Sequence, residues 1–457
     1  MNSRTMKENV QSFAVKQVIH YLDEDPDKGL PVLLDWVDRL DSDNRVLSQR
    51  QVFRKIIENP DNNWYRLIKS IWSDIDSEVR KTLFENFFIN AGVIGLKRQE
   101  QFEKEHNCNI PWAILMDLTS ACNLRCKGCW AAEYGQKLNL SYEILDDIIR
   151  QGTAMGTYMY IFSGGEPLVR KDDIIRLCEA HPDCEFLAFT NGTLIDKTFA
   201  KEMLRVKNFI PAISIEGFEE ATDARRGKGT YQAVMQAMKI LKDNKLPFGA
   251  SCCYTSQNIP SLSSEEYMDM LVNCGAKFAW FFHYMPIGNE AVTELLPLPK
   301  QRKLMFDKIR EYRSTKPIFT IDFQNDGEFS GGCIAGGKAY LHINANGDIE
   351  PCAFIHYADS NIKEKSLLEA YKSPLFIAYK EGQPFNDNLL KPCPMLENPE
   401  CLREMVKRTG AHSTDMQSPE DIDNLYAKCK PYSDNWNETA NKLWSCSPKC
   451  KVCLSKK

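Results

Sequence analysis

Apolar residues in the first hundred positions recur every three or four places, in runs at 14–23, 29–40, 51–60, 64–72 and 79–96 broken by Asp, Asn and Pro. That period buries one side of a helix, so residues 1–107 read as a helical domain with no strand signal. From Pro111 the texture changes. Short β-branched and aromatic runs at 112–118, 158–162, 185–189, 209–215, 248–254 and 278–284 alternate with helical patterns near 141–151, 171–180, 196–205, 230–243, 264–273 and 300–312. Such alternation predicts parallel strands joined by right-handed crossovers. Residues 108–322 are therefore expected to form an α/β fold, a partial (β/α)6 barrel. Beyond about 325 the alternation stops. Tyr340 to Cys352 reads as a hairpin turning at Asn346–Gly347, and the rest of 323–457 reads as a cysteine-rich, irregular extension.

Charge and composition narrow the choice of chemistry. A net charge of −5 gives no electrostatic reason to expect nucleic acid as a partner. No run approaches the roughly 18 apolar residues a membrane span needs, and MNSRTMKENV lacks the apolar core of a secretory signal. Both point to the cytoplasm. Seventeen cysteines in a reducing compartment then suggest metal before disulfides.

Three of them, Cys122, Cys126 and Cys129, follow directly on the first predicted strand. Thiolates that close on one loop can curl around one face of an iron–sulfur cube and leave its fourth iron without a protein ligand, whereas such clusters are ordinarily held by four cysteines. The end of a barrel strand is where chemistry is expected. After the second strand comes Ser163-Gly164-Gly165-Glu166-Pro167. Spacing, position and glycine turn together resemble the radical S-adenosylmethionine (SAM) superfamily over roughly residues 110–320. The resemblance implies that the open iron of a 4Fe–4S cluster chelates SAM and reductively cleaves it to a 5′-deoxyadenosyl radical that takes a substrate hydrogen. It also implies a low-potential electron donor such as flavodoxin or ferredoxin. By the same resemblance Gly164 and Gly165 bind the SAM amino group, with Glu166 orienting their loop. Asn191 follows the third strand as a further contact. Ser214 and Glu216 face the ribose, with Glu216 where the family has Asp, and Arg226 pairs with the SAM carboxylate. Met285 to Gly288 resembles the segment lining the adenine. One departure is Gly128, where many members have an aromatic residue, with Trp130 just after the third cysteine.

Eight more cysteines crowd the last 125 residues: Cys333, Cys352, Cys393, Cys401, Cys429, Cys446, Cys450 and Cys453. Cys333-x13-Gly347-x4-Cys352 resembles the opening of a SPASM domain, an extension that carries auxiliary 4Fe–4S clusters, although the family's central C-x2-C-x5-C-x3-C run is missing. Eight cysteines suit two four-cysteine sites, whether two clusters or one cluster with zinc or mononuclear iron; Cys429 is grouped with Cys446, Cys450 and Cys453. Cys108, Cys178, Cys184, Cys252, Cys253 and Cys274 read as core, and His283 and His342, on apolar strands, as core or as packing behind the residues of a site.

Substrate class is the open question. The apolar, aromatic stretch Leu83–Leu96, flanked by Arg80, Lys81, Lys97 and Arg98, would suit an interfacial segment in peripheral membrane contact, a wall for a lipid-like substrate, or simple packing on the barrel. An apolar substrate undergoing C–C bond formation or oxidation is the first expectation. Maturation of a peptide or protein is the alternative, although the front end shows no strands for a winged-helix peptide-docking module. An iron–sulfur protein without catalysis is a third reading, disfavoured by the SAM-pocket motifs.

Overall fold

A computed structural model describes residues 26–40 and 47–450; the run at 14–23 lies outside the described residues. Seven parallel strands follow one another: β1 (Ala113–Thr119), β2 (Met159–Gly164), β3 (Glu185–Thr190), β4 (Phe209–Ser214), β5 (Gly249–Tyr254), β6 (Phe278–His283) and β7 (Phe319–Asp322). The first six coincide with the predicted runs, and β7 adds one more to the sheet. On the other side of β1 the expected hairpin forms from β8 (Tyr340–Ile343) and β9 (Ile349–Glu350), paired His342 to Glu350. Its first strand does not stand apart: β8 pairs in parallel with β1, Ala113 to Tyr340 through Met116 to Ile343. The order is thus β7-β6-β5-β4-β3-β2-β1-β8-β9 in one sheet, continuous across residue 323.

Strand alternation sorts the side chains into two cores. From β1, Ile114, Met116 and Leu118 face the helices on the outside, where they join Ile148, Leu177 and Val234. Ala113 and Leu115 face inward and belong to a second core that runs into Tyr379, Met405 and Trp436 of the extension. The inner face of the sheet is therefore closed by residues from the far end of the chain.

The extension is not irregular, as its sequence texture suggested. It contains helices Leu367–Tyr371, Pro374–Gly382, Pro399–Thr409 and the 24-residue Ile422–Ser445. The last buries Ile422, Leu425, Cys429, Tyr432, Trp436 and Ala440, a stripe at three- and four-residue steps. Its internal Pro431 and interspersed polar residues masked that period in the sequence.

At the front end, helices Pro26–Leu40, Leu47–Ile57, Asn63–Asp74 and Ser77–Leu83 lead into Phe84–Gly95, which winds as a π-helix. This apolar stretch is fastened to the segment before β3: Asn86 Nδ2 donates to the carbonyls of Pro182 (3.0 Å) and Cys184 (2.9 Å), and Asn90 Nδ2 to that of Asp183 (2.9 Å). Phe87 packs edge-on against Trp112, just ahead of β1. A Cβ on Gly95 would lie 2.4 Å from the carbonyl of Gly156, ahead of β2. All these contacts are at the amino ends of the strands, whereas the cysteine loop lies at their carboxyl ends. The stretch is the floor of the barrel, so the lipid-channel expectation built on it does not hold.

Candidate active site

At the carboxyl ends of β1 and β2 the cysteine loop and the glycine turn interlock. Gly165 N–H donates to Thr119 O and Glu166 N–H to Ala121 O, each at 2.8 Å. A Cβ on Gly165 would fall 2.2 Å from Ala121 O, and Gly164 holds φ +116°, a value that favours glycine. These two glycines thus let the turn press against the backbone that carries the cysteines. Glu166, fully buried, braces the next strand: its carboxylate accepts from Leu168 N (3.0 Å), Thr190 Oγ1 (2.6 Å) and Asn191 N (2.7 Å). Asn191 closes the circuit by donating to Asn123 Oδ1 at 2.8 Å, one residue past Cys122.

On the opposite side stand two arginines. Glu216, buried at the end of β4, accepts at Oε1 from Arg225 Nη1 (2.7 Å) and from Arg226 Nε (2.8 Å) and Nη2 (2.5 Å). Its Oε2 has no partner among the described residues. Arg226 Nη1 reaches Cys126 Sγ at 3.8 Å, and Lys127 N–H donates to Arg225 O at 2.8 Å. The sequence places Glu216 on a ribose and Arg226 on a carboxylate; in the structure they hold each other, with Glu216 fixing the guanidinium beside the cysteine loop. Ser214 ends β4 two residues earlier. Met285 and Ile287 are buried in the inner core.

Burial favours the protonated form of two of these thiols, so binding a metal has to displace their protons. Burial pushes Cys122 up to about 11, partly offset by the Leu124 N–H aimed at its sulfur, and burial likewise raises Cys129, offset by the Ala131 N–H. Among the described residues no three His, Cys, Asp or Glu side chains converge closely enough for a single metal ion.

Sequence reasoning placed His342 in the core and missed what surrounds it. Its Nε2 lies 3.0 Å from Asp117 Oδ1 on β1 and its Nδ1 2.6 Å from Glu350 Oε2, all three side chains inaccessible. Burial lowers the imidazole, but the two carboxylates outweigh it and hold it at about 10, a buried cation. Tyr134 donates to the same Glu350 (2.8 Å), and Trp130, next to Cys129, packs edge-on over His342. His283, by contrast, is kept neutral by burial and by Arg302.

The lumen beside this network is aromatic. Along β6, Phe278, Trp280 and Phe282 are half-buried while Ala279, Phe281 and His283 are buried, the alternation of a strand whose inner face lines a recess. Trp280 stacks on Phe282 and meets Phe189 edge-on, and its indole N–H has no acceptor among the described residues.

The sequence model of the Radical SAM superfamily matches residues 116–281, the stretch that runs from β1 into β6. The chain carries a radical SAM domain. Its cysteine-rich extension is SPASM-like, and a radical SAM domain is the mark of a SAM-using enzyme. Among curated relatives, Fe-coproporphyrin III synthase of Methanosarcina barkeri is 26% identical over 245 residues, covering 50% of this chain and 59% of that protein. Mycofactocin maturase MftC of Mycolicibacterium smegmatis is 28% identical over 275 residues, covering 56% of this chain and 67% of that one. In fold, the radical SAM chain resembles Streptococcus suis SuiB, solved with S-adenosylmethionine, with a TM-score of 0.54 and 20% identity over 66% of this chain and 77% of SuiB. No described helix is long and apolar enough to cross a membrane.

Seven of the eight C-terminal cysteines lie among the described residues, in differing surroundings. Cys333, Cys352 and Cys393 surround two buried tyrosines, with Tyr340 OH 2.7 Å from Cys352 Sγ and Tyr379 OH 3.7 Å from Cys333 Sγ. Burial raises the thiol of Cys401, and pushes that of Cys429 up to about 12. Cys446 is exposed, Cys450 is buried, and Cys453 lies outside the described residues. Of the six cysteines read as core, four are buried; Cys253 and Cys274 are half-buried, and Cys253 lies within electrostatic reach of Arg225 and Cys129.

Proposed function

We propose that Cys122, Cys126 and Cys129 hold the SAM-binding 4Fe–4S cluster and that the enzyme modifies a peptide or protein by radical chemistry. When bound, the cluster supplies the electron that splits SAM into methionine and a 5′-deoxyadenosyl radical. The chain's own residues do the rest. Gly164 and Gly165 offer backbone polar groups at a distance no side chain would permit. Glu216 keeps Arg226 extended beside the cysteine loop, where its fork suits the carboxylate of SAM, and the partnerless Oε2 of Glu216 remains to accept from a sugar hydroxyl. The observation that carries the reading is the interlock of the glycine turn with the cysteine loop, through Gly165 N–H to Thr119 O and Glu166 N–H to Ala121 O.

The maturase reading is supported by the likeness to MftC, and by the loss of the channel that a lipid-like substrate was expected to use. A second reading is favoured by one observation, the ring wall of Phe189, Trp280 and Phe282, which would suit a flat porphyrin-like substrate such as the name of the Methanosarcina relative indicates. Anaerobically reconstituted enzyme, dithionite and SAM, incubated with a peptide pool and separately with coproporphyrin, decides between them by mass spectrometry. Deoxyadenosine without SAM-dependent mass change in the peptide pool, together with a changed porphyrin, would reverse the order.

A further inference from the structure

The first cysteine loop is held on two sides by the barrel. Asn191 donates to Asn123 (2.8 Å), and the Lys127 N–H donates to the Arg225 carbonyl (2.8 Å). The segment that leaves Cys129 is held instead by residues beyond 340. Trp130, half-buried, packs edge-on against His342 (ring centroids 5.5 Å apart), Phe354 (6.0 Å) and His356 (6.1 Å). Tyr134 stacks on His356 at 4.5 Å, and the carbonyl of Glu133 accepts from the Met416 and Gln417 N–H groups, each at 2.9 Å.

Beneath this segment lies a buried ion triad set by strand register. Leu115 pairs with His342 across β1 and β8, and His342 with Glu350 across β8 and β9, which puts the imidazole between Asp117 and Glu350. A carboxylate only accepts hydrogen bonds. With one carboxylate 3.0 Å from Nε2 and the other 2.6 Å from Nδ1, both ring nitrogens carry protons. Glu350 also accepts from Tyr134 OH (2.8 Å), Asn344 Nδ2 (2.9 Å) and Thr414 Oγ1 (2.5 Å). Asp117 has no partner but His342 among the described residues. A charged ring within about 6 Å of an indole centroid holds it more firmly than a neutral one.

We infer, on the reading that Cys129 ligates the cluster, that His342 is a positioning residue for the SAM site: its ring seats Trp130 while Glu350 seats Tyr134, so the approach of Cys129 is set by the extension as well as by the barrel.

The three thiols of the loop are half-buried, within reach of a small alkylating reagent. The test starts on the full chain without iron, kept anaerobic and reduced, with brief iodoacetamide labelling and peptide mass mapping of Cys122, Cys126 and Cys129. His342→Gln should raise labelling of Cys129 about tenfold relative to Cys122, because the seat opens locally while the barrel contacts persist. Trp130→Leu removes the seated ring and should do the same, and it carries the test if His342→Gln does not accumulate. Tyr134→Phe, which removes only the hydroxyl bonded to Glu350, should give a smaller change of the same sign. Leu177→Ala, fully buried in the outer core, costs comparable stability and should leave the ratio unchanged. An unchanged ratio in the three site variants, or an equal change in Leu177→Ala, would overturn the role. In reconstituted enzyme, the electron paramagnetic resonance spectrum of the reduced cluster with SAM should differ from wild type in His342→Gln and match it in Leu177→Ala. A wild-type spectrum in both His342→Gln and Trp130→Leu would also overturn it. Wild-type protein that takes up iron but does not cleave SAM would sink the radical reading without touching the thiol ratios; normal cleavage with unchanged ratios would sink the positioning and leave that reading standing.

Discussion

The two cysteine triads are built in opposite ways. Cys122, Cys126 and Cys129 lie on a single loop leaving β1, so their convergence needs only that loop to curl. Cys333, Cys352 and Cys393 are brought together by tertiary structure, one before β8, one after β9 and one past the helix Pro374–Gly382. Local convergence costs little loop entropy, whereas the distributed arrangement relies on the sheet and helices to close long loops. The first triad therefore depends mainly on what presses against its loop, and the second on the packing of the whole extension.

The largest expected effect breaks the comparison at the first triad. Cys122, Cys126 and Cys129 changed together to Ala should abolish deoxyadenosine formation, read by chromatography, while iron bound by the extension remains. Next comes the interlock itself. Gly165→Ala places a methyl against Ala121 O, where an ideal Cβ would sit 2.2 Å away, so the loop must shift; displacement on the order of 1 Å can cost about 100-fold in turnover, with auxiliary iron unchanged. Arg226→Gln should weaken SAM binding by about 10- to 100-fold, the value of a charge-assisted hydrogen bond, measured by calorimetry on reconstituted protein. His342→Gln leaves Asp117 and Glu350 buried without their cation and should destabilise the fold by about 3 kcal/mol in denaturant titrations. Because the folded imidazole is raised to about 10, its contribution is complete below about pH 6.5 and fades as pH rises through 10. Wild-type stability should fall across that window more steeply than that of the variant. The smallest effect is Phe88→Asp: Phe88 is 53% exposed on the barrel floor, so the change should alter stability by about 0.5 kcal/mol or less and leave turnover untouched.

The same contrast explains what could be read before the structure. Six strands and the first triad were legible because each is local: a period of two, a short cysteine spacing, a Gly-Gly turn. β7 was missed because four residues are too short a run to stand out. The long helix Ile422–Ser445 carries its stripe plainly, but Pro431 and the surrounding cysteines drew attention to metal rather than to packing. The apolar, helical character of the floor segment was evident and packing on the barrel was among its three readings; only Asn86 and Asn90, tied to the loop before β3, reveal which end of the barrel it covers. Nothing local could have linked Asp117 to His342 and Glu350, since the register of β8 on β1 brings them together.

The pairing of β8 with β1 has a consequence for how this protein is made. β1 is finished when residue 119 leaves the ribosome, but its second neighbour is complete only at Ile343. At about 5–20 residues per second, the nascent chain spends roughly 10 to 45 s with one edge of β1 unclaimed and the cysteine loop hanging from it. An open strand edge invites pairing with other chains. Ribosome-associated chaperones that occupy that edge would raise the yield of active enzyme, and slow codons between positions 120 and 340 would lower it.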